Sequence, residues 1–208
     1  MEAETQLSEL GRHFYGRGWV LGTSGNFSTV VSRDPFCLTI TATGLDKGSL
    51  TADQFVRVDA SGSFIQGAGK PSAETALHLV VARVRRAGAV LHTHSVWSTI
   101  ISDLHAPEHG LSIEGYEMLK GLKGVSSHRH REWLPILEND QDMPRLAGEV
   151  EKILDERSAI HGFLLRNHGL YTWGENLSEA KRHLEILEFL LEVLGRTASL
   201  RTSIAALG

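Results

Sequence analysis

The stretch GAVLHTHSVWSTI, residues 88–100, carries two histidines, His92 and His94, in a short apolar segment just before a predicted helix. The apolar residues predict a buried strand, in which residues i and i+2 project from the same face. Both imidazoles then point the same way and need polar partners, and one divalent metal ion would serve both. Two histidines satisfied by ordinary hydrogen bonds would give the same pattern, so the pair alone is weakly specific.

A metal site would need at least one more ligand from elsewhere in the chain. A structural zinc site has four protein ligands, usually with several cysteines, and Cys37 is the only cysteine. A catalytic site uses three protein ligands and leaves a position for substrate. His168, at the predicted tight turn between two strands in LLRNHGLYTW, is the best third candidate. A turn histidine tolerated beside Gly169 is the alternative interpretation.

Helices and strands alternate along the rest of the chain, without an internal repeat or a linker. Apolar residues at helical spacing predict helices, and turn residues between runs of strand formers predict hairpins. Because hairpins join antiparallel strands, we predict an α/β fold: one three-layer α/β/α domain over residues 1–208 with a mainly antiparallel central sheet. Predicted helices end near Gly16, span 73–87, begin near Ser95, span 143–156 and begin near Asn176; predicted strands include 26–32, 36–41, 55–59 and 63–67.

Charge and composition exclude several classes of protein. The net charge is −4 over 208 residues, which gives no electrostatic basis for binding nucleic acid or an anionic membrane. The single cysteine excludes an internal disulfide and fits a reducing compartment. The acidic N-terminal segment lacks the features of a signal peptide, and no apolar run is long enough to cross a bilayer. We therefore expect a cytoplasmic protein.

Three segments have the features of an anion site. In GTSGNFS, residues 22–28, glycines allow a sharp loop whose backbone N–H groups can hold a phosphate. The segment TATG, residues 41–44, ends a predicted strand in hydroxyls and a glycine. Ser72 stands at the start of a predicted helix, where an anion is favoured. A plain turn or an ordinary helix cap would explain each segment by itself.

Two carboxylates are candidates for proton transfer. Glu74 lies in the first turn of the predicted helix 73–87, where a carboxylate also suits the helix dipole. Glu117 lies in GYEMLKGL, a segment without clear periodicity, where a solvated acid is the plain interpretation. Either could act as a general acid or base if the fold brought it to a metal. For His128 and His130 the alternatives are that they reach the site or that they belong to a solvated loop, and we favour the solvated loop.

The motifs SGNFS, TATG, KPSAE, HTHS and RNHG occur in the order found in the class II aldolase/adducin family, which this chain resembles from about Gly22 to its last helix. The resemblance implies a class II aldolase-like α/β/α domain and a homo-oligomer, commonly a tetramer, with active sites at subunit boundaries. It also implies one divalent metal ion per subunit, usually Zn²⁺, on His92, His94 and His168. The residues that match the family's phosphate-holding segments are Ser24, Gly25, Asn26, Thr41, Thr43, Gly44 and Ser72.

Within the family, GYEMLKGL and NDQD favour a dehydratase that removes water from a phosphorylated ketose. By the resemblance, Glu117 matches the acid/base position of the dehydratase, and Glu74 matches that of the sugar-phosphate aldolases. We favour Glu117, and Glu74 is alternatively a fourth metal ligand. A sugar-phosphate aldolase or L-ribulose-5-phosphate 4-epimerase is the other enzymatic hypothesis. A non-catalytic interaction domain is a third, and the presence of all three candidate ligands argues against it.

Overall fold

The computed structural model describes residues 2–205, in which helices and strands alternate as predicted. The helices are α1 (Glu2–Gly16), α2 (Thr75–Val84), α3 (Val96–Leu104), α4 (Met143–Glu156) and α5 (Leu177–Ala205). The strands are β1 (Asn26–Arg33), β2 (Phe36–Thr41), β3 (Phe55–Val58), β4 (Phe64–Gly67), β5 (Ala89–Thr93), β6 (Gly110–Ile113), β7 (Glu132–Leu137), β8 (Gly162–Leu165) and β9 (Gly169–Gly174). Of the single-domain prediction for 1–208, residues 1 and 206–208 lie outside the described range.

The described strands form one mixed sheet in the order β4-β3-β2-β1-β5-β9-β8-β7-β6. Neighbouring strands are antiparallel except β7 and β8, where Ile136 lies opposite Leu164 in a parallel pair. The predicted α/β fold with a mainly antiparallel sheet is therefore confirmed. Strand β5, which carries the histidine pair, lies in the interior of the sheet between β1 and β9.

Helices cover both faces of the sheet and make it the middle of three layers. Val90 of β5 packs with α2 and α4 on one face. Leu91, the next residue, packs with α1 and α5 on the other face, because successive side chains of a strand alternate between faces. The same alternation puts His92 on the face of α2 and α4. None of the described helices combines the length and apolarity needed to span a bilayer.

Two helix boundaries have clear local causes. Helix α2 is shorter than the predicted 73–87, since Arg86 adopts a positive φ of 50° that a right-handed helix cannot continue. Helix α5 begins at Leu177 close to the predicted position. Asn176 Oδ1 accepts a hydrogen bond from the Glu179 N–H, and Glu179 Oε1 accepts one from the Glu175 N–H. This reciprocal capping satisfies donors that would otherwise lack partners at the helix start.

Candidate metal centre and anion cavity

Three histidines meet at the end of β5. The Nε2 atoms of His92 and His94 lie 2.7 Å apart, and His168 Nε2 lies 3.3 Å from that of His92 and 3.1 Å from that of His94. His168 sits in the turn between β8 and β9, as predicted. Asn167 there has a φ of 55°, which asparagine tolerates better than most residues. A Cβ on Gly169 would collide with the backbone carbonyl of Thr93, so only glycine lets this turn approach β5.

Hydrogen bonds at Nδ1 of two of these imidazoles leave their Nε2 atoms as electron-pair donors. His92 Nδ1 lies 3.0 Å from the Leu170 carbonyl oxygen, and His168 Nδ1 lies 3.2 Å from Asn139 Oδ1. Each Nδ1–H therefore has an acceptor, which sets the tautomer. Burial lowers the pKa of His94 to about 4 and holds that of His92 well below its usual value, so both rings are neutral. Neutral nitrogens converging this closely fit a shared cation.

Glu74, immediately before α2, completes this group. Its Oε1 lies 3.1 Å from His168 Nε2 and 3.6 Å from His92 Nε2. Burial alone would raise the pKa of Glu74, but His92, His168 and a hydrogen bond from Asn26 hold it below its usual range. Among the described residues, Glu74 and the three histidines form the group able to hold a metal ion, with all four ligand atoms within 4.8 Å of one another.

A buried series of hydrogen bonds runs from Glu74 through Asn26 and His78 to Ser28. The Asn26 amide donates to Glu74 Oε2, and its carbonyl oxygen faces His78 Nε2. His78 Nδ1 lies 2.7 Å from Ser28 Oγ. Burial lowers the pKa of His78 to about 4, so this ring is neutral and can donate at one nitrogen and accept at the other. The Asn26 side chain thus positions Glu74 here, and its predicted contact with phosphate stays a prediction.

A cavity of about 230 Å³ adjoins the four potential ligands, and Glu74 and His94 belong to its walls. Gly25 enters it with a φ of 73°, and a Cβ there would lie 2.7 Å from the His92 carbonyl oxygen. The structure brings together around this cavity all the residues predicted to hold phosphate: Ser24, Gly25, Asn26, Thr41, Thr43, Gly44 and Ser72.

Sequence reasoning missed two buried residues that bear on these sites. His78 lies on the apolar face of α2 beside Leu77, and a polar residue on such a face was the available signal. Lys47 also lines the cavity and is only 1% exposed. Its Nζ donates to the carbonyl oxygens of Thr23 and Leu45, and nothing in its local sequence, LDKGS, predicts burial.

Glu117 is not part of this group within one chain. It begins a short 3₁₀ turn, Glu117–Gly121, and its carboxylate is largely exposed. Its Oε1 accepts a hydrogen bond from Lys120 Nζ at 2.6 Å, and Oε2 lies 3.8 Å from His128 Nδ1. His130 instead contacts the buried Glu132 at 2.8 Å. His128 is exposed, in line with the solvated loop predicted for it, whereas the side chain of His130 is only 28% exposed.

Comparisons with known proteins agree with this geometry. The profile of the family "Class II Aldolase and Adducin N-terminal domain" matches residues 5–194. The chain is 44% identical to methylthioribulose-1-phosphate dehydratase of Pseudomonas fluorescens over 93% of its length and 92% of that protein. It is 42% identical to that of Methylococcus capsulatus, over 92% of its length and 94% of that protein. L-fuculose-1-phosphate aldolase of Thermus thermophilus has the same fold, with a TM-score of 0.75 at 24% identity, covering 94% of this chain and 95% of that one.

Proposed function

Because the chain belongs to the family of class II aldolases and adducin N-terminal domains, we propose that it is a methylthioribulose-1-phosphate dehydratase. This lyase converts 5-methylthioribulose 1-phosphate into 5-methylthio-2,3-dioxopentyl phosphate and water in methionine salvage. The observation that carries the proposal is one shared wall: Glu74 and His94 border both the histidine cluster and the predicted phosphate cavity. A phosphorylated sugar bound there has its reactive carbons near the metal ligands.

The donor set supports a metal ion held by His92, His94 and His168, and Glu74 lies close enough to be a fourth ligand. Three imidazole nitrogens and one carboxylate suit Zn²⁺, and we propose one Zn²⁺ per subunit. When bound, the ion supplies Lewis acidity to the carbonyl and hydroxyl oxygens of the substrate. The tautomers set by Leu170 and Asn139 keep the Nε2 atoms available for it.

The residues of the chain then orient the substrate and move its protons. Backbone N–H groups and hydroxyls of the cavity hold the phosphate, which fixes the position of the carbon chain. The C3 proton is acidic because C2 is a carbonyl. Glu74, whose lowered pKa keeps it ionised, is the carboxylate next to the ligands that is placed to accept this proton. A second group protonates the C4 hydroxyl as it leaves as water. The resulting enol rearranges to the 2,3-diketone.

We propose that Glu117 of a partner subunit is that second group. Glu117 keeps a carboxylate exposed on the surface of the single chain, away from the ligands. An assembly with active sites at subunit boundaries would let one subunit supply Glu117 to the histidines of the next. We accordingly propose a homo-oligomer, a tetramer by family resemblance.

We also propose a single domain over residues 1–208 and, since a phosphate ester does not cross membranes, a cytoplasmic location.

One observation favours a second candidate, a sugar-phosphate aldolase or L-ribulose-5-phosphate 4-epimerase. Glu74 alone of the two carboxylates lies at the ligands within one chain. Metal-loaded protein should therefore be incubated in parallel with methylthioribulose 1-phosphate, L-fuculose 1-phosphate and L-ribulose 5-phosphate. We expect diketone formation from the first compound only. Carbon–carbon cleavage of the second or epimerisation of the third, without reaction of the first, would contradict the dehydratase.

A further inference from the structure

We propose that Lys47 binds the substrate phosphate, and that its buried ammonium group supplies the positive charge of the cavity. This inference rests on the proposed function in one respect, that the substrate is a phosphate ester. It adds a residue that neither the motifs nor the predicted phosphate-holding segments include.

The burial of Lys47 is the first observation. Lysine is rarely buried without an anionic partner, because removing a charge from water is costly. Lys47 is 1% exposed. Its Nζ donates to Thr23 O at 3.0 Å and to Leu45 O at 2.7 Å. An ammonium has three donors, and the described residues offer no ion-pair partner and no acceptor for the third N–H.

The position of Lys47 is the second observation. Thr23 belongs to the loop before β1 and Leu45 to the loop after β2, so Lys47 joins the two loops that form the cavity. Among the described residues that line the cavity, Lys47 is the only lysine or arginine, whereas Glu74 contributes a negative charge. Glu74 would repel a phosphate dianion, and Lys47 is the cationic side chain in the described lining of the cavity that opposes this repulsion directly at the phosphate.

The ionisation of Lys47 agrees with this role. Burial lowers the pKa of Lys47 to about 8, while Asp46 and Glu74 act in the opposite direction. The side chain is then still mostly protonated near neutral pH. A hydrogen bond between an ammonium and a phosphoryl oxygen is charge-assisted, and such bonds are about twice as strong as neutral ones. An incoming phosphate would therefore satisfy both the third N–H and the buried charge.

The test uses inorganic phosphate as the probe and the full-length, zinc-loaded protein. Calorimetric titration compares wild type with Lys47→Met, which removes the charge at similar length, and with Lys47→Gln, which keeps a donor. Lys152→Met, an exposed lysine of α4, controls for net charge. We expect both Lys47 variants to bind phosphate roughly 10–100-fold more weakly. Zinc content should not change, and the control should match wild type.

A purely structural tie between the loops would give another result. Lys47→Met would then melt at a lower temperature, yet the folded variant would bind phosphate as tightly as wild type, and this would overturn the proposal. Absence of phosphate binding by wild type would overturn it as well. A second measurement, ¹⁵N-lysine spectra of wild type, does not depend on the folding of the Lys47 variants. The Lys47 Nζ resonance should move on phosphate addition, and a resonance that stays in place contradicts the assignment.

This outcome is independent of the reaction assigned above. Phosphate titration requires no turnover, so weaker binding in the Lys47 variants supports the inference even if methylthioribulose 1-phosphate does not react. Conversely, diketone formation with unchanged phosphate binding in the variants would leave the dehydratase in place and remove Lys47 from its cavity role.

Discussion

The phenol ring of Tyr171 stacks on the imidazole of His92, with ring centroids 3.9 Å apart and 13° between the planes. The ring of Phe163 also stacks on that of Tyr171, with centroids 4.9 Å apart and 4° between the planes. Tyr171 is fully buried, which raises its pKa well above the usual value and keeps it neutral. The three rings come from β5, β8 and β9, so the sheet itself sets the plane of a candidate metal ligand.

Replacing Tyr171 tests whether this stack positions His92. Tyr171→Phe keeps the ring and should retain zinc affinity close to wild type. Tyr171→Leu removes the flat surface and should weaken zinc binding by roughly tenfold, the lower range seen when groups that orient metal ligands are lost. The zinc affinities of the two folded variants and of wild type are measured by chelator competition. Equal affinity in both variants would show that the stack only packs the core.

Removal of one imidazole tests the metal assignment directly. His94→Ala leaves two histidines and Glu74, so zinc content and dehydratase activity should fall together. The measurement is elemental analysis of purified protein alongside the rate of diketone formation. A variant that keeps a full equivalent of zinc would exclude His94 as a ligand.

Neutral substitutions of Glu117 and Glu74 should have different effects on activity and on zinc binding. Glu117→Gln should lower kcat by roughly 10²–10⁴ with zinc content unchanged, as expected for loss of a proton-transfer group. Glu74→Gln should lower kcat by a similar factor if Glu74 is the base. If Glu74 is only an accessory ligand, the variant should bind zinc more weakly and keep much of its rate at saturating zinc.

Mixing the two inactive variants tests whether Glu117 acts across a subunit boundary. Glu74→Gln and Glu117→Gln subunits, denatured and refolded together, would assemble some sites with one intact copy of each carboxylate. Random mixing of equal amounts should restore about a quarter of wild-type activity. Each variant refolded alone is the control. No recovery in an assembly shown to contain both kinds of subunit would place both carboxylates in the same chain or remove one from catalysis.

Glu188 of α5 predicts a pH dependence of stability. It accepts a hydrogen bond from Thr93, and burial raises its pKa from 4.5 to about 7. The folded state therefore binds this proton more tightly than the unfolded state, so the contribution to stability is present at low pH and is lost as the pH rises through about 7.

Glu188→Gln should remove this dependence, since glutamine does not titrate. Between pH 5.5 and 7.5 the wild-type free energy of unfolding should fall by about 2 kcal/mol relative to the variant. Urea unfolding at the two pH values measures the difference. A stability gap between the two proteins that is the same at both pH values would contradict the assignment of a buried, protonated Glu188.

Local patterns in the sequence account for much of the fold and for part of the histidine cluster. The spacing of His92 and His94 predicted two imidazoles on one side of a strand, the turn residues made His168 a candidate for the third, and the family resemblance joined the three. Strands β6 and β7 were not predicted; β7 contains Pro135, a residue that is uncommon in interior strands. Its parallel pairing with β8 also depends on contacts distant in sequence, which local periodicity does not encode.

The supporting residues could not be predicted for a related reason. His78, Lys47 and Glu188 are polar residues whose burial is decided by elements far away in the chain. His78 depends on Asn26 and Ser28, and Glu188 depends on Thr93. Composition and spacing indicate only that such residues are usually exposed. For Glu117, local sequence cannot predict a position at the ligands, since its proposed role requires a second subunit.

Glu74 and His94 belong both to the ligand cluster and to the wall of the cavity. Cation binding at the cluster and phosphate binding in the cavity therefore affect each other's affinity. A divalent cation held by the cluster would offset the negative charge of Glu74 in addition to Lys47, and would so favour a phosphate dianion in the adjoining cavity. Whatever factor the cation adds to phosphate affinity, phosphate must add to cation affinity. A cell with abundant phosphate esters would therefore retain the metal in this protein more firmly than its affinity in plain buffer indicates.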